Sequence, residues 1–79
     1  MKTDWKIKDN RLTKEFVFKD FKESLIFINK VGDESETLNH HPKITNIYNK
    51  VTIELWTHTV DNITDLDYKL SEKIDKLIK

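Results

Sequence analysis

The residues best suited to chemistry in this sequence are its three histidines: His40 and His41, adjacent and followed by Pro42, and His58 at the end of a β-branched stretch. A free imidazole titrates close to neutral pH, so it can give or take a proton under working conditions. Two neighbouring imidazoles in a corner of the chain point in different directions and can address two sides of one bound group, as general acid–base catalysis requires. Each also has an ordinary reading. His40 and His41 would sit favourably near the unpaired carbonyls of a helix C-terminus whatever the protein does, and a single His at a strand end is commonly a surface polar residue. Glu36, four residues before His40, fits an i, i+4 helix pair. Asp67 fits the N3 position of a closing helix, where a carboxylate stabilises the N-terminus. Trp5 and Trp56 read as core or surface-covering residues. No Ser or Cys stands beside a base as a nucleophile, and with Gly 1 no glycine-rich phosphate loop can be built.

The elements that must position these residues are marked by period and caps. Trp5 and Ile7 alternate, then Leu12, Phe16 and Phe18 alternate beyond the turn-forming pair Asp9-Asn10, which predicts a β-hairpin. At Asp20 the period changes to that of a helix, with Phe21, Leu25 and Ile28 on one face and an Asp20/Glu23 N-terminal cap. Gly32 either ends this helix or is tolerated within one that runs to Leu38. The longer helix is favoured, with Gly32 and Ser35 continuing the Phe21 face as small residues that let another element come close. Pro42 stops the helix, Lys43 to Asn49 reads as extended, and Asn49-Lys50 as a two-residue turn. Val51, Ile53 and Leu55 then alternate with Thr52, Glu54 and Trp56 in a strand that ends on Thr57 and His58. Thr64 and Asp67 form a second capping box, and Leu66, Leu70, Ile74 and Leu77 form the stripe of a last helix. The order ββαββα predicts an α+β two-layer sandwich, a four-stranded antiparallel sheet with helices on one face.

Composition narrows the function classes. The 79 residues are 37% hydrophobic, enough for one small core and one domain spanning 1–79. With Cys 0, disulfides and cysteine-held metals are excluded, so a chain this short is expected to draw support from self-association as a homodimer or homotetramer. Lys+Arg 14 against Asp+Glu 14, with no run of three basic residues, lacks the electrostatic footprint of a direct nucleic-acid binder. The longest apolar run, Leu25 to Ile28, cannot span a bilayer, and no signal-peptide core is present. The expectation is a cytoplasmic protein with no membrane partner.

In order and spacing, Phe16-Val17-Phe18-Lys19-Asp20-Phe21, Glu36-Thr37-Leu38-Asn39-His40-His41-Pro42, Tyr48-Asn49-Lys50-Val51, Thr57-His58 and Ile63-Thr64-Asp65-Leu66-Asp67 resemble the pterin-4a-carbinolamine dehydratases over essentially the whole chain. The resemblance implies dehydration of a 4a-hydroxytetrahydropterin to the quinonoid dihydropterin in tetrahydrobiopterin recycling, with no metal and no organic cofactor. It also implies that His40, His41 and His58 surround the carbinol carbon as catalytic residues, and that Glu36 and Asp67 orient or tune them. Asn39, Pro42, Trp56 and Thr57 would shape the substrate pocket. Members of the family also serve as dimerisation partners of a homeodomain transcription factor, so a non-catalytic interaction module is the alternative. A three-His zinc site is the remaining one, disfavoured because adjacent histidines rarely both reach one ion. The chain departs from the family pattern at Asn39 (often Asp), Trp56 (often a small hydroxyl residue) and Asp61-Asn62 (often Gly-Gly). Only Met1 to Asp4 precede Trp5, where many members carry an additional helix.

Overall fold

A computed structural model describes residues 4–78; most of the stretch ahead of Trp5, on which the expectation of a missing helix rests, lies outside them. The elements follow the expected order: β1 (Lys6–Lys8), β2 (Arg11–Val17), α1 (Phe21–Leu38), β3 (Lys43–Ile47), β4 (Lys50–Leu55) and α2 (Asp65–Lys76). The four strands form one antiparallel sheet in the order β1-β2-β4-β3. No helix among the described residues is long and apolar enough to cross a membrane.

The first hairpin closes where it was expected. Asp9 and Asn10 both take positive φ (51° and 61°), the conformation of a two-residue turn whose twist matches the strands. Leu12 and Phe16 from β2 and Val51, Ile53 and Leu55 from β4 point to one side and are buried. Each such side chain contributes roughly 1.5–3 kcal/mol through burial. The helices supply Phe27, Val31, Leu70 and Ile74 to the same core. Trp5 seals one end, its indole N–H donating to the Asp75 carboxylate of α2 at 3.1 Å, while Lys14 Nζ meets the same carboxylate at 2.9 Å.

Five expectations are corrected. The buried face of α1 is Ser24, Phe27, Val31 and Ser35, whereas Phe21 and Leu25 are exposed. The serines are accepted inside because their hydroxyls bond back along the helix, Ser24 to the Asp20 carbonyl at 3.1 Å and Ser35 to the Val31 carbonyl at 2.7 Å. Gly32 lies within the helix, but open space surrounds it, so it does not serve a close approach. The second hairpin turns at Tyr48-Asn49, one residue earlier than expected: Ile47 pairs with Lys50, and Tyr48 takes φ 50°. Strand β4 stops at Leu55, because a Thr57–Asn62 bridge closes a separate loop that holds His58 in a turn. In the last helix, Leu70 and Ile74 are buried as expected, while Leu66 is exposed.

Helix α1 begins at Asp20, whose carboxylate accepts the Glu23 N–H at 2.9 Å, and Glu23 reaches back to the Lys19 N–H at 3.2 Å. It then runs through Gly32 to Leu38. A glycine with ordinary helical φ and open surroundings lowers helix stability for no packing return. Gly32→Ala should therefore stabilise the domain by about 1 kcal/mol and raise its thermal midpoint by about 4–8 °C, measured by calorimetry. No gain would show that the glycine has a role the fold does not reveal.

Candidate active site

The site is assembled where the end of α1, the loop after β4 and the start of α2 meet. Asn39 ends α1 in the left-handed conformation (φ 49°, ψ 45°), which Asn tolerates better than most residues. The Asn39 N–H bonds the Glu36 carbonyl at 3.1 Å and the His40 N–H bonds the Ser35 carbonyl at 3.0 Å, so the orphan carbonyls of the helix end are used and the chain turns sharply. This turn sends the two adjacent imidazoles apart: His40 is buried, and His41 is exposed.

His40 reaches Asp67. Its Nε2 lies 2.5 Å from Asp67 Oδ1. The second oxygen, Oδ2, accepts the Thr57 hydroxyl and the Thr64 N–H, each at 2.9 Å, and the Thr57 and Thr64 hydroxyls bond each other at 2.7 Å. Asp67 is wholly buried, and among the described residues no buried side-chain polar atom lacks a partner. A carboxylate only accepts, so this contact assigns the hydrogen of His40 to Nε2 and leaves Nδ1 with the lone pair in the neutral ring. His41 makes a parallel but solvated pair, its Nε2 2.5 Å from Glu36 Oε2 with side-chain exposures of 56% and 77%. His58 stands on the loop opposite, its ring stacked on Trp56 at a centroid separation of 4.6 Å.

Asn39, His40, His41, Thr57, His58 and Thr59 line one hollow of about 270 Å³. That is near the lower end of the volumes that hold small molecules, roughly 300–1,000 Å³. All three histidines named from sequence are therefore brought together, with Asn39 and Thr57 beside them. Glu36 and Pro42 line a neighbouring hollow with Ile28, Gly32 and Ile44, and His41 forms the ridge between the two. Trp56 does not line this hollow; its ring stacks on that of His58. Sequence reading missed Thr64 and Thr59, and gave Thr57 no part in holding Asp67. It also missed Arg11, whose guanidinium carbon lies 4.1 Å from the Trp56 ring centre. No local signal marks Arg11: only the long-range β2–β4 register, in which Leu12 pairs with Leu55, sets Arg11 beside Trp56 at the next step of the ladder. Among the described residues no three His, Asp or Glu side chains are grouped to hold a metal ion.

Fold and site together define a small α+β protein in which three imidazoles, two of them paired to carboxylates, line one hollow. The pterin 4 alpha carbinolamine dehydratase family model matches residues 1–77, and the chain belongs to that family. A relative from Sulfurisphaera tokodaii, provisionally named a pterin-4-alpha-carbinolamine dehydratase, is 47% identical over 74 residues, covering 94% of this chain and 80% of the relative. The crystal structure of a transcriptional coactivator/pterin dehydratase from Brucella melitensis superposes with a TM-score of 0.87 at 35% identity, over 91% of this chain and 79% of that one. A pterin dehydratase-like protein described as a RuBisCO assembly factor of the alpha-carboxysome shares the fold, with a TM-score of 0.77 at 23% identity over 95% of this chain and 89% of that one.

Because Asp67 is buried and bonded to three separate elements, its loss leaves His40, Thr57 and Thr64 without their acceptor. Asp67→Ala should cost ~3–5 kcal/mol, comparable to the whole stability of a domain this small. Glu36→Ala, on the solvated pair, should change stability by less than about 0.5 kcal/mol. Urea unfolding of the two variants distinguishes them, and equal effects would contradict the different structural roles assigned to the two carboxylates.

Proposed function

We propose that the chain is a cytoplasmic hydro-lyase that removes water from a 4a-hydroxytetrahydropterin to give the quinonoid dihydropterin, serving tetrahydrobiopterin recycling. The observation that carries this reading is the convergence of His40, His41 and His58 on one hollow in a chain of this family. The C4a–O bond breaks as an acid protonates the departing hydroxyl, and a base takes the proton from N5 as the new double bond forms. One water leaves, one proton has been given and one taken, and the imidazoles return to their starting state by exchange with solvent. General acid–base assistance of about 10²–10⁴-fold is what positioned imidazoles supply. His41 and His58 are open to solvent and suited to that exchange. His40, held by Asp67, presents a fixed ring edge.

The substrate reading is supported by the polar residues that line the hollow, Asn39, Thr57 and Thr59 beside the three histidines. A second reading, an interaction module without catalysis, draws on the coactivator named in the Brucella melitensis structure and on the apolar side chains left exposed at Ile47, Tyr48 and Val17. Ile47 belongs to β3 and Tyr48 follows it in the hairpin turn, at the edge of the sheet whose outer backbone groups have no strand partner among the described residues, while Val17 ends β2 two strands away. The same surface supports self-association as a homodimer or homotetramer.

Following quinonoid formation by ultraviolet absorbance tests the enzymatic reading. The wild type should exceed buffer, and His41→Ala and His58→Ala should each lose about 10²-fold or more of the acceleration. A wild type no faster than buffer would sink the dehydratase reading and leave the interaction module, which is indifferent to both histidines. Sedimentation at micromolar concentration should show a dimer or tetramer, and Ile47→Lys should weaken it. A stable wild-type monomer would contradict self-association.

A further inference from the structure

Each of the other two histidines at the site is held by a carboxylate, but His58 is not. Among the described residues its imidazole makes no hydrogen bond or ion pair. Its recorded neighbour is the ring of Trp56, nearly parallel at an interplanar angle of 19° and a centroid separation of 4.6 Å. Trp56 is itself held from the adjacent strand. The Arg11 guanidinium lies 4.1 Å from its ring centre, and Arg11 is fixed in turn by donating to the Asp9 carbonyl at 2.8 Å, with Asp61 3.9 Å away. Asp61 belongs to the same Thr57–Asn62 loop as His58, so the guanidinium reaches both the indole and the loop that the indole supports. A stacked indole disfavours rotation of the imidazole about its Cβ–Cγ bond, which would break the stack, and a cation over an indole favours the indole rotamer that keeps the contact.

We propose that Trp56 is the positioning residue for His58, and that Arg11 acts through Trp56, so that the Arg11–Trp56–His58 stack does for this imidazole what Asp67 and Glu36 do for the other two. The proposal rests on the dehydratase reading for its catalytic consequence, but the stack itself is testable without turnover. An imidazole lying over an indole has its ring protons shifted upfield by the indole ring current. In the wild-type protein the His58 ring protons, assigned by comparison with His58→Gln, should therefore stand upfield of those of His41. Trp56→Phe should keep part of the shift and Trp56→Ser should abolish it. In turnover, misplacing one proton-transfer group should lower kcat about tenfold in Trp56→Ser with KM within about twofold, and Trp56→Phe should restore most of the rate. Arg11→Gln should reduce the His58 shift and kcat together, by less than Trp56→Ser does.

Ring protons that do not move in Trp56→Ser overturn the stack. A Trp56→Ser enzyme with raised KM and unchanged kcat overturns the positioning role and makes Trp56 a surface that the substrate itself stacks on. A wild type that shows the upfield protons but no acceleration over buffer overturns the catalytic use of the stack through failure of the dehydratase reading, a result distinct from the first. If Trp56→Ser does not fold, the same comparisons are made with Arg11→Gln, whose side chain is not part of the core: a His58 shift and kcat both equal to wild type overturn the proposal.

Discussion

One buried carboxylate ties this structure together. Asp67 has no exposed surface, and removing such a group from water costs several kcal/mol unless its oxygens are fully used. They are used by His40 from the corner after α1, by Thr57 from the loop after β4 and by the Thr64 N–H at the start of α2. The Thr64 bond is local to α2 and Thr57 lies only ten residues before Asp67, but His40 comes from the far side of β3 and β4, so the carboxylate is fully satisfied only when the corner after α1 has docked against the start of α2. A domain with a small core and no disulfide has few other devices that demand one arrangement over its neighbours. The polar cluster therefore specifies how the layers meet, while the apolar contacts between Leu12, Val51, Ile53, Leu55, Leu70 and Ile74 supply most of the burial.

The same docking explains the division of α1. For His40 to reach Asp67, the C-terminal end of α1 must lie close to the start of α2. Ser35, one helical turn before that corner, is buried there with its hydroxyl bonded to Val31. A Leu or Phe at such a position would hold the helix further off. The cost is that the more apolar stripe, Phe21 and Leu25, faces outward beside Ile26. Together with Ile47 and Tyr48 at the sheet edge, these side chains form apolar surface that the fold itself leaves uncovered.

Much of the fold was legible because local chemistry and tertiary structure agree. Asp9-Asn10 could form a tight turn, Asp20 and Thr64 could start helices, and Val51, Ile53 and Leu55 could face one way, and each does so. The buried face of α1 was not legible, since apolarity points to Phe21 and Leu25, and only the tertiary approach selects the serine-lined face. The second hairpin was misplaced by one residue because Tyr48 carries no turn signature, yet adopts positive φ once Ile47 and Lys50 pair. At the site, the three histidines, Glu36 and Asp67 stood out by type and spacing. That His40 turns inward and His41 outward did not, because this follows from the left-handed Asn39. Arg11 was invisible as a site neighbour for a similar reason: cross-strand proximity exists only after register is set.

The adjacent imidazoles that look like one motif in sequence are thus two different things in space. His40 with Asp67 is part of what makes the domain fold, and it would be retained by selection on stability alone. His41 is solvated, its partner Glu36 more so, and neither is required to satisfy a buried group. His58 lies in an exposed turn and contributes no bond to the core. Of the three, His40 satisfies a buried group, whereas His41 and His58 do not. A homologous chain that kept the His40–Asp67 pair but lost the other two imidazoles would still fold in this way without the solvent-facing half of the site. In this chain, therefore, the His40–Asp67 pair joins the corner after α1 to α2, and the two exposed imidazoles are free of that structural task.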